Sequence, residues 1–356
     1  MFSTLWKTSA ILNSSFLILL LFFLSACSPA PRAHSLAGRT MGTTYSIRIA
    51  HADLDRRALD QLQADIDATL AEVNRQMSTY QPGSEISRFN RAAPGEPVAL
   101  SPDFQFVVRR ALEIAAATGG AFDPTVGALV NLWGFGPDGA ISKRPDPAQI
   151  EAARRTTGFR HLALSPDGRL AKDLPGLQLD LGAIAKGFGV DRIAALLRER
   201  RLKNFLVEIG GETLAEGLNA GNEPWRVGVL RPDFLPADGS VLQGVIHLTG
   251  GRAVATSGDY RNFFRDEDGR IQTHIIDPRA AAPAQHAVAS VSVRAADCLT
   301  ADGLATALVV LGPEEGLRLL ESAFPDADAL FLLRRHEKVF EEVASPGFAD
   351  ALRYER

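Results

Sequence analysis

The chain has 356 residues, of which 46% are apolar and 22% charged, and its formal net charge is −4. That balance is ordinary for a globular protein. It supplies no basic surface of the kind nucleic acid requires, so no nucleic-acid partner is expected.

Lys7 gives a short basic region ahead of an apolar run from Ile11 to Leu24, broken by Asn13, Ser14 and Ser15. Leu24-Ser25-Ala26-Cys27 then resembles a bacterial lipobox. Residues 1–26 are read as a signal peptide and set aside from the fold. Cys27 is the expected lipidation site, residues 27–37 a Pro/Ala/Ser-rich tether, and residues 38–356 one working unit. A plain membrane anchor is the other reading, but the run is short against the roughly 20 residues of a span. The protein is therefore expected outside the cytoplasm, held to a membrane by acyl chains. With Cys27 lipidated, Cys298 has no partner for an intrachain disulfide and reads as a small buried apolar residue.

Thr44 to Ile49 alternates as a strand, and Leu54 to Met77 has helical spacing. Pro102 to Thr118 reads as a helix stopped by Gly119-Gly120. After Ala121-Phe122-Asp123-Pro124 comes a loop rich in Gly and aromatics around Trp133 and Phe135, then a helix from Asp146-Pro147 to Arg155. Short strands are expected near His161 to Leu164 and Leu177 to Asp180, followed by a helix to Arg201. The third quarter reads as a β meander: Phe205 to Ile209, Thr213 to Glu216, Trp225 to Val229, Gly244 to Leu248 and Ala253 to Thr256. Thr273 to Ile276 and Ala287 to Arg294 are further strands, and Asp302 to Leu311 an apolar helix. Strands and helices without a regular βαβ rhythm favour an α+β fold, one catalytic unit with two lobes.

Three stretches can carry chemistry. In Leu179-Asp180-Leu181-Gly182-Ala183-Ile184-Ala185-Lys186-Gly187, small residues open a helix and leave N–H groups that favour an anion, with Lys186 as a point charge. Neither the Walker spacing nor the dinucleotide fingerprint is present, and an ordinary crossover with a surface lysine fits as well. Asp302 and Thr306, four apart on a helix, put two hard oxygen donors on one face, suited to Mg²⁺. The same pair can instead serve the helix dipole and a bond from Thr306 back to the carbonyl of residue 302. His274 in Thr273-His274-Ile275-Ile276-Asp277-Pro278-Arg279 can act as a base near neutral pH, or can simply be a satisfied strand residue.

Taken together these stretches form a family pattern. With Met41-Gly42-Thr43-Thr44-Tyr45, Met77-Ser78-Thr79-Tyr80, Gly120-Ala121-Phe122-Asp123-Pro124, Val207-Glu208-Ile209-Gly210-Gly211-Glu212, Pro224-Trp225-Arg226-Val227-Gly228, Ala255-Thr256-Ser257-Gly258-Asp259-Tyr260 and Ala301 to Ala307, the chain resembles the ApbE family of FAD:protein FMN transferases along nearly all its mature length. The resemblance implies a T-fold-like two-lobed α+β unit that binds FAD and Mg²⁺ between its lobes. It implies transfer of FMN to a threonine hydroxyl of a partner protein, with release of AMP. Met41, Tyr80, Ala121, Phe122, Asp123, Asp180, Lys186 and Ile275 match flavin-nucleotide positions. The Ala183 carbonyl, Asp302 and Thr306 match metal ligands, and His274 matches the base for the incoming threonine.

The implied acceptors are flavoprotein subunits of membrane redox complexes. That suits a periplasm-facing lipoprotein of the inner membrane, although Ser28 after Cys27 also fits outer-membrane sorting. Where members usually continue Asp-Pro-Arg with Thr-Gly, this chain has Ala280-Ala281, a departure beside the site. Two alternatives are an FAD pyrophosphatase that releases free FMN and AMP, and a non-catalytic flavin-binding lipoprotein. Tyr80 speaks against the first, because the hydrolytic members differ at the matching position; the company of His274, Lys186, Asp302 and Thr306 speaks against the second.

Overall fold

The computed structural model describes residues 33–141, 143–233, 241–285, 287–336 and 339–354. The signal peptide, Cys27 and the first part of the tether lie outside the described residues. Among those described, no helix is long and apolar enough to cross a membrane.

The organising element is an eight-stranded antiparallel sheet whose strands follow one another in chain order. They are β1 (Ala33–Thr40), β2 (Thr43–Ala50), β3 (Phe205–Ile209), β4 (Glu212–Glu216), β5 (Arg252–Gly258), β6 (Val288–Ala295), β7 (Asp328–His336) and β8 (Val339–Ala344). Period-2 alternation divides their side chains between two covered faces. Phe205, Val207 and Ile209 pack with Ile47 and Ile49 against helices. Leu206, Ala215, Val254, Leu330 and Leu332 pack instead against a three-stranded sheet of Trp225–Leu230, Leu242–Leu248 and Leu352–Arg353. With both faces covered, seven of the eight residues of β6 are buried, Ser290 and Ser292 among them.

Three helices cover the first face, α1 (Arg56–Met77), α3 (Ala185–Glu199) and α4 (Cys298–Ala323), and α2 (Pro102–Ala117) packs on α4. Asp55 caps α1 by accepting from the Ala58 N–H at 2.7 Å, and Leu62, Ile66, Leu70 and Val73 line its buried stripe. Gly119 (φ 60°) and Gly120 (φ 85°) terminate α2 as expected. The last helix bends at Gly312, where φ is 76° and Pro313 follows. Cys298 is fully buried, and burial pushes its thiol pKa up.

The functional geometry rests on the crossing of α3 and α4. A Cβ on Gly187 would stand 2.3 Å from the Cys298 carbonyl oxygen and 2.9 Å from the Asp302 Cβ, so the crossing needs a residue without one. Each helix lends the other a carboxylate. Asp302 of α4 accepts from the Gly187 N–H at 2.9 Å, and Asp191 of α3 accepts from the N–H groups of Cys298 at 2.8 Å and Leu299 at 2.9 Å. Both helix N-termini are thereby capped from across the interface.

Four expectations change. The third quarter is not one meander: β3, β4 and β5 are neighbours in the large sheet, while Trp225–Leu230 and Leu242–Leu248 pair with each other in the small one. Leu177 to Asp180 is not a strand. Its single bridge joins Gln178 to Val126, and the Asn90 side chain supplies the missing partner, donating to the Leu179 carbonyl at 2.9 Å and accepting from its N–H at 2.7 Å. Thr273 to Ile276 is likewise two pieces. Ile271–Thr273 pairs with Phe263–Arg265 and Ile276–Asp277 with Ala282–Pro283, so the chain changes partners, and direction, at His274 and Ile275. Finally β1 begins at Ala33, so residues 33–37 of the expected tether belong to the sheet.

Ala281 stands at φ 53° and is completely buried, with its carbonyl accepting from the Trp133 indole at 3.1 Å. An alanine there bears the steric cost of the left-handed region, about 1–2 kcal/mol. Ala281→Gly is expected to stabilise the protein by roughly 0.5–1 kcal/mol, the remainder being offset by the freer unfolded chain. Gly187→Ala is expected to destabilise it by about 1–3 kcal/mol through overpacking. Urea unfolding checks both signs.

Candidate active site

A cavity of about 820 Å³ opens beside the α3–α4 crossing, a size in the range of small-molecule sites. It brings together all twelve residues singled out inside the folded unit: Met41, Tyr80, Ala121, Phe122, Asp123, Asp180, Ala183, Lys186, His274, Ile275, Asp302 and Thr306. Only Cys27, outside the described residues, is not among them.

One wall is apolar and backbone-rich. Met41 and Gly42 form the two-residue turn between β1 and β2, both with positive φ (49° and 74°), as a type I′ hairpin demands. Methionine is uncommon in that conformation. Its side chain reaches the cavity and passes over Gly189 of α3, where a Cβ would meet it at 3.0 Å. Ala121, Phe122 and Ile275 are buried lining residues.

Asp123 has a structural role in the same wall. Its carboxylate accepts from the Thr125 N–H (2.8 Å) and hydroxyl (2.6 Å) and from the Phe159 N–H (3.0 Å). Burial raises its pKa, while those donors pull it back. Tyr80 stands at the rim, 68% exposed, with its hydroxyl 3.4 Å from the Phe135 carbonyl.

The opposite wall is charged. Asp180 folds its carboxylate onto the Gly182 N–H at 2.7 Å, which shapes the turn into α3, and burial raises its pKa. Ala183, which lines the cavity, stands just before Ile184, the N-cap of α3. The Gly187 N–H, an orphan donor of the first helical turn, bonds Asp302 and not the Ala183 carbonyl. Thr306 does not bond back along its helix; its hydroxyl lies 3.1 Å from that of Ser257.

Lys186 sits between two buried carboxylates, 3.4 Å from Glu212 and 3.6 Å from Asp302. Burial would lower the ammonium pKa, but the two carboxylates outweigh it and hold it above the usual lysine range. Burial pushes Glu212 up to about 7 and raises Asp302, with Lys186 pulling both back. The second oxygen of Glu212, Oε2, is fully buried with no hydrogen-bond partner. A carboxylate, a hydroxyl, a backbone carbonyl just ahead of the helix and an unsatisfied buried oxygen make a hard-oxygen environment, and these donors fit Mg²⁺.

His274 joins the two walls. Its Nδ1 is 3.0 Å from the Asn262 carbonyl, which can only accept, so Nδ1 carries the proton and Nε2 keeps its lone pair. Burial, aided by Lys186 and Arg261, lowers the imidazole pKa to about 4. Phe135 packs its ring edge-on against the imidazole at 6.3 Å. Asp277 takes no part, being turned onto Arg279 at 3.2 Å.

Sequence reasoning left Glu212, Arg261, Asn262 and Phe135 without roles. The Gly210-Gly211 turn signals the first two. Positive φ at both glycines (63° and 109°) exposes the backbone to Arg261, whose guanidinium donates to the Gly210 carbonyl at 2.6 Å. Nothing local signals Asn262, whose backbone carbonyl alone is used.

A family model described as the ApbE family matches residues 41–331. An FAD:protein FMN transferase of Vibrio cholerae is 42% identical over 92% of this chain and 95% of its own. A namesake from Haemophilus influenzae is 38% identical over 91% and 93%. Among solved structures, the flavin transferase ApbE from Vibrio cholerae superposes with a TM-score of 0.81 at 41% identity, covering 90% of this chain and all (100%) of that one.

His274 also makes stability depend on pH. Its folded pKa of about 4 lies below the usual 6.5, so between those values the unfolded chain binds more protons. This contribution is fully present above pH 6.5 and is lost as the pH falls toward 4. Proton NMR of the imidazole is expected to show a midpoint near 4, and His274→Asn to remove this part of the slope of stability against pH.

Proposed function

This chain belongs to the ApbE family, and from that premise we propose that it is an FAD:protein FMN transferase, which moves FMN from FAD to a threonine hydroxyl of an acceptor protein. The observation that carries the reading is one cavity in which an imidazole with a free Nε2 faces a lysine and a set of hard oxygen donors.

The residues divide the work. Met41, Ala121, Phe122 and Ile275 bind the flavin part against an apolar wall, and the loop held by Asp123 keeps that wall in place. Asp180 and Lys186 hold the nucleotide, Lys186 as a point charge against diphosphate oxygens. Asp302, Thr306 and the Ala183 carbonyl are the residues that would hold Mg²⁺. Bound there, the ion contributes neutralisation of charge on phosphoryl oxygens.

Nε2 of His274 takes the proton as the threonine oxygen attacks the FMN phosphorus. The new bond is threonine O–P, the bond broken joins that phosphorus to the bridging oxygen, and AMP departs with the oxygen. The depressed imidazole pKa guarantees the neutral, accepting form at neutral pH. A diphosphate beside Lys186 and Arg261 offsets the two cations that help depress it, and so strengthens the base as substrate arrives.

The same reading places the protein on the periplasmic side of the inner membrane, anchored through lipid on Cys27 beside the redox complexes whose flavoprotein subunits are its acceptors. Tyr80 at the rim, a position at which hydrolytic members differ, favours threonine over water as the nucleophile.

With FAD and Mg²⁺, the protein is expected to add FMN mass to a threonine of an acceptor subunit, read by mass spectrometry. An acceptor without the adduct, or rapid release of free FMN without acceptor on HPLC, overturns the reading. His274→Ala is expected to lower transfer by about 10²- to 10⁴-fold, the usual contribution of a general base, while FAD binding is retained.

A further inference from the structure

The charged wall holds one carboxylate more than the proposed function uses. Glu212 opens β4, its side chain only 3% exposed, directly after the Gly210-Gly211 turn. One of its oxygens lies 3.4 Å from the Lys186 ammonium and the other accepts no hydrogen bond from another residue. A buried carboxylate left half-satisfied is costly and calls for an explanation.

Asp302 supplies the explanation. Its Oδ2 is committed to the Gly187 N–H, so Oδ1 is the oxygen left for a cation. That same Oδ1 is the atom Lys186 faces, at 3.6 Å. Lys186 therefore competes with any divalent ion for the last free oxygen of Asp302. Glu212 offers the ammonium an alternative seat of the same charge, at a shorter distance, on a stiff strand end.

We propose that Glu212 is a positioning residue that draws Lys186 away from Asp302, freeing Oδ1 for the metal and turning the ammonium toward the diphosphate. The inference rests on the reading of Asp302 as a metal-holding residue. In the loaded site the charges then match in pairs: Lys186 with Glu212, and the cation with Asp302. Without Glu212, Lys186 collapses onto Asp302 and acts as a built-in inhibitor of metal binding. This is an effect on the orientation of one ligand by its neighbours, of the kind that alters metal affinity about 10- to 100-fold.

The test measures Mn²⁺ binding to the full chain in detergent, without FAD, from the electron paramagnetic resonance signal of free Mn²⁺. Glu212→Gln, nearly isosteric, is expected to weaken binding about 10-fold or more. Lys186→Met is expected to bind Mn²⁺ at least as tightly as the parent, because the competitor is gone. Adding Glu212→Gln to Lys186→Met is expected to change little. Unchanged affinity in Glu212→Gln overturns the proposal, as does weakened affinity in Lys186→Met. An equal loss from Glu212→Gln in both backgrounds also overturns it, because Glu212 is then itself a ligand. Asp302→Asn separates the two levels: if it leaves Mn²⁺ affinity unchanged, the metal site itself is wrongly placed. If it abolishes binding while Glu212→Gln does not weaken it, the role of Glu212 alone fails.

Discussion

The reciprocal clamp between α3 and α4 is the constraint on which the rest of the structure depends. Asp302 closes the N-terminus of α3, and Asp191 closes that of α4. Because Gly187 has no side chain, the two backbones approach closely enough for both bonds to form at once. A carboxylate accepting from helix N–H groups satisfies orphan donors and complements the helix dipole, so the clamp is favourable in itself. Its functional consequence is separate. By holding the Gly187 N–H with Oδ2, it leaves Oδ1 of Asp302 beside the turn at Ala183 that precedes α3. One contact thus secures the fold and exposes oxygen donors from segments more than a hundred residues apart.

Electrostatic tension in the cavity follows from burial. Glu212 and Asp302 are both driven toward their protonated forms, and Lys186 counters both. Such an arrangement is poorly compensated within the chain and suits a cation beside the carboxylates and an anion beside Lys186 and Arg261. His274 shares this balance of charge, since on the proposed reading the cations that lower its pKa are those a diphosphate would meet. Perturbed groups facing one cavity, with the orienting bond of His274 coming from a backbone carbonyl, are what a phosphoryl-transfer site requires.

Backbone strain marks the walls as well. Met41 adopts a conformation that favours glycine or asparagine, and the side chain so placed covers Gly189 and lines the pocket. Ala281 is similarly strained, but without a side chain to place, and it falls where the chain departs from the Thr-Gly of the family pattern. The first outlier has a role in the cavity; the second reads as a tolerated cost in a turn that a buried tryptophan holds in place.

Much was legible along the chain because local physics suffices for it. Helices α1, α2 and α3 carry apolar stripes and stop signals, and the strands of the third quarter carry turn residues at short intervals, although their division between two sheets was not visible. The spacing of Asp302 and Thr306, the small residues before Lys186 and the company of His274 were all visible as candidates. What remained undecided was always a question of partners. Asn90 replaces a strand at Leu179 with its own amide, a substitution no pattern of residues announces. The chain turns at His274 because its two flanks pair with different segments. Glu212 and Arg261 gain their roles only when the Gly210-Gly211 turn meets α3. The sequence by itself determined which residues have the chemistry, and that the fold mixes helices with an antiparallel sheet. Only the tertiary structure decided which carboxylate oxygen is spent, which helix N–H groups are capped from across the fold and which imidazole nitrogen is free. The reason is that a donor or acceptor has chemistry to offer only after the fold has settled which of its bonds are already made.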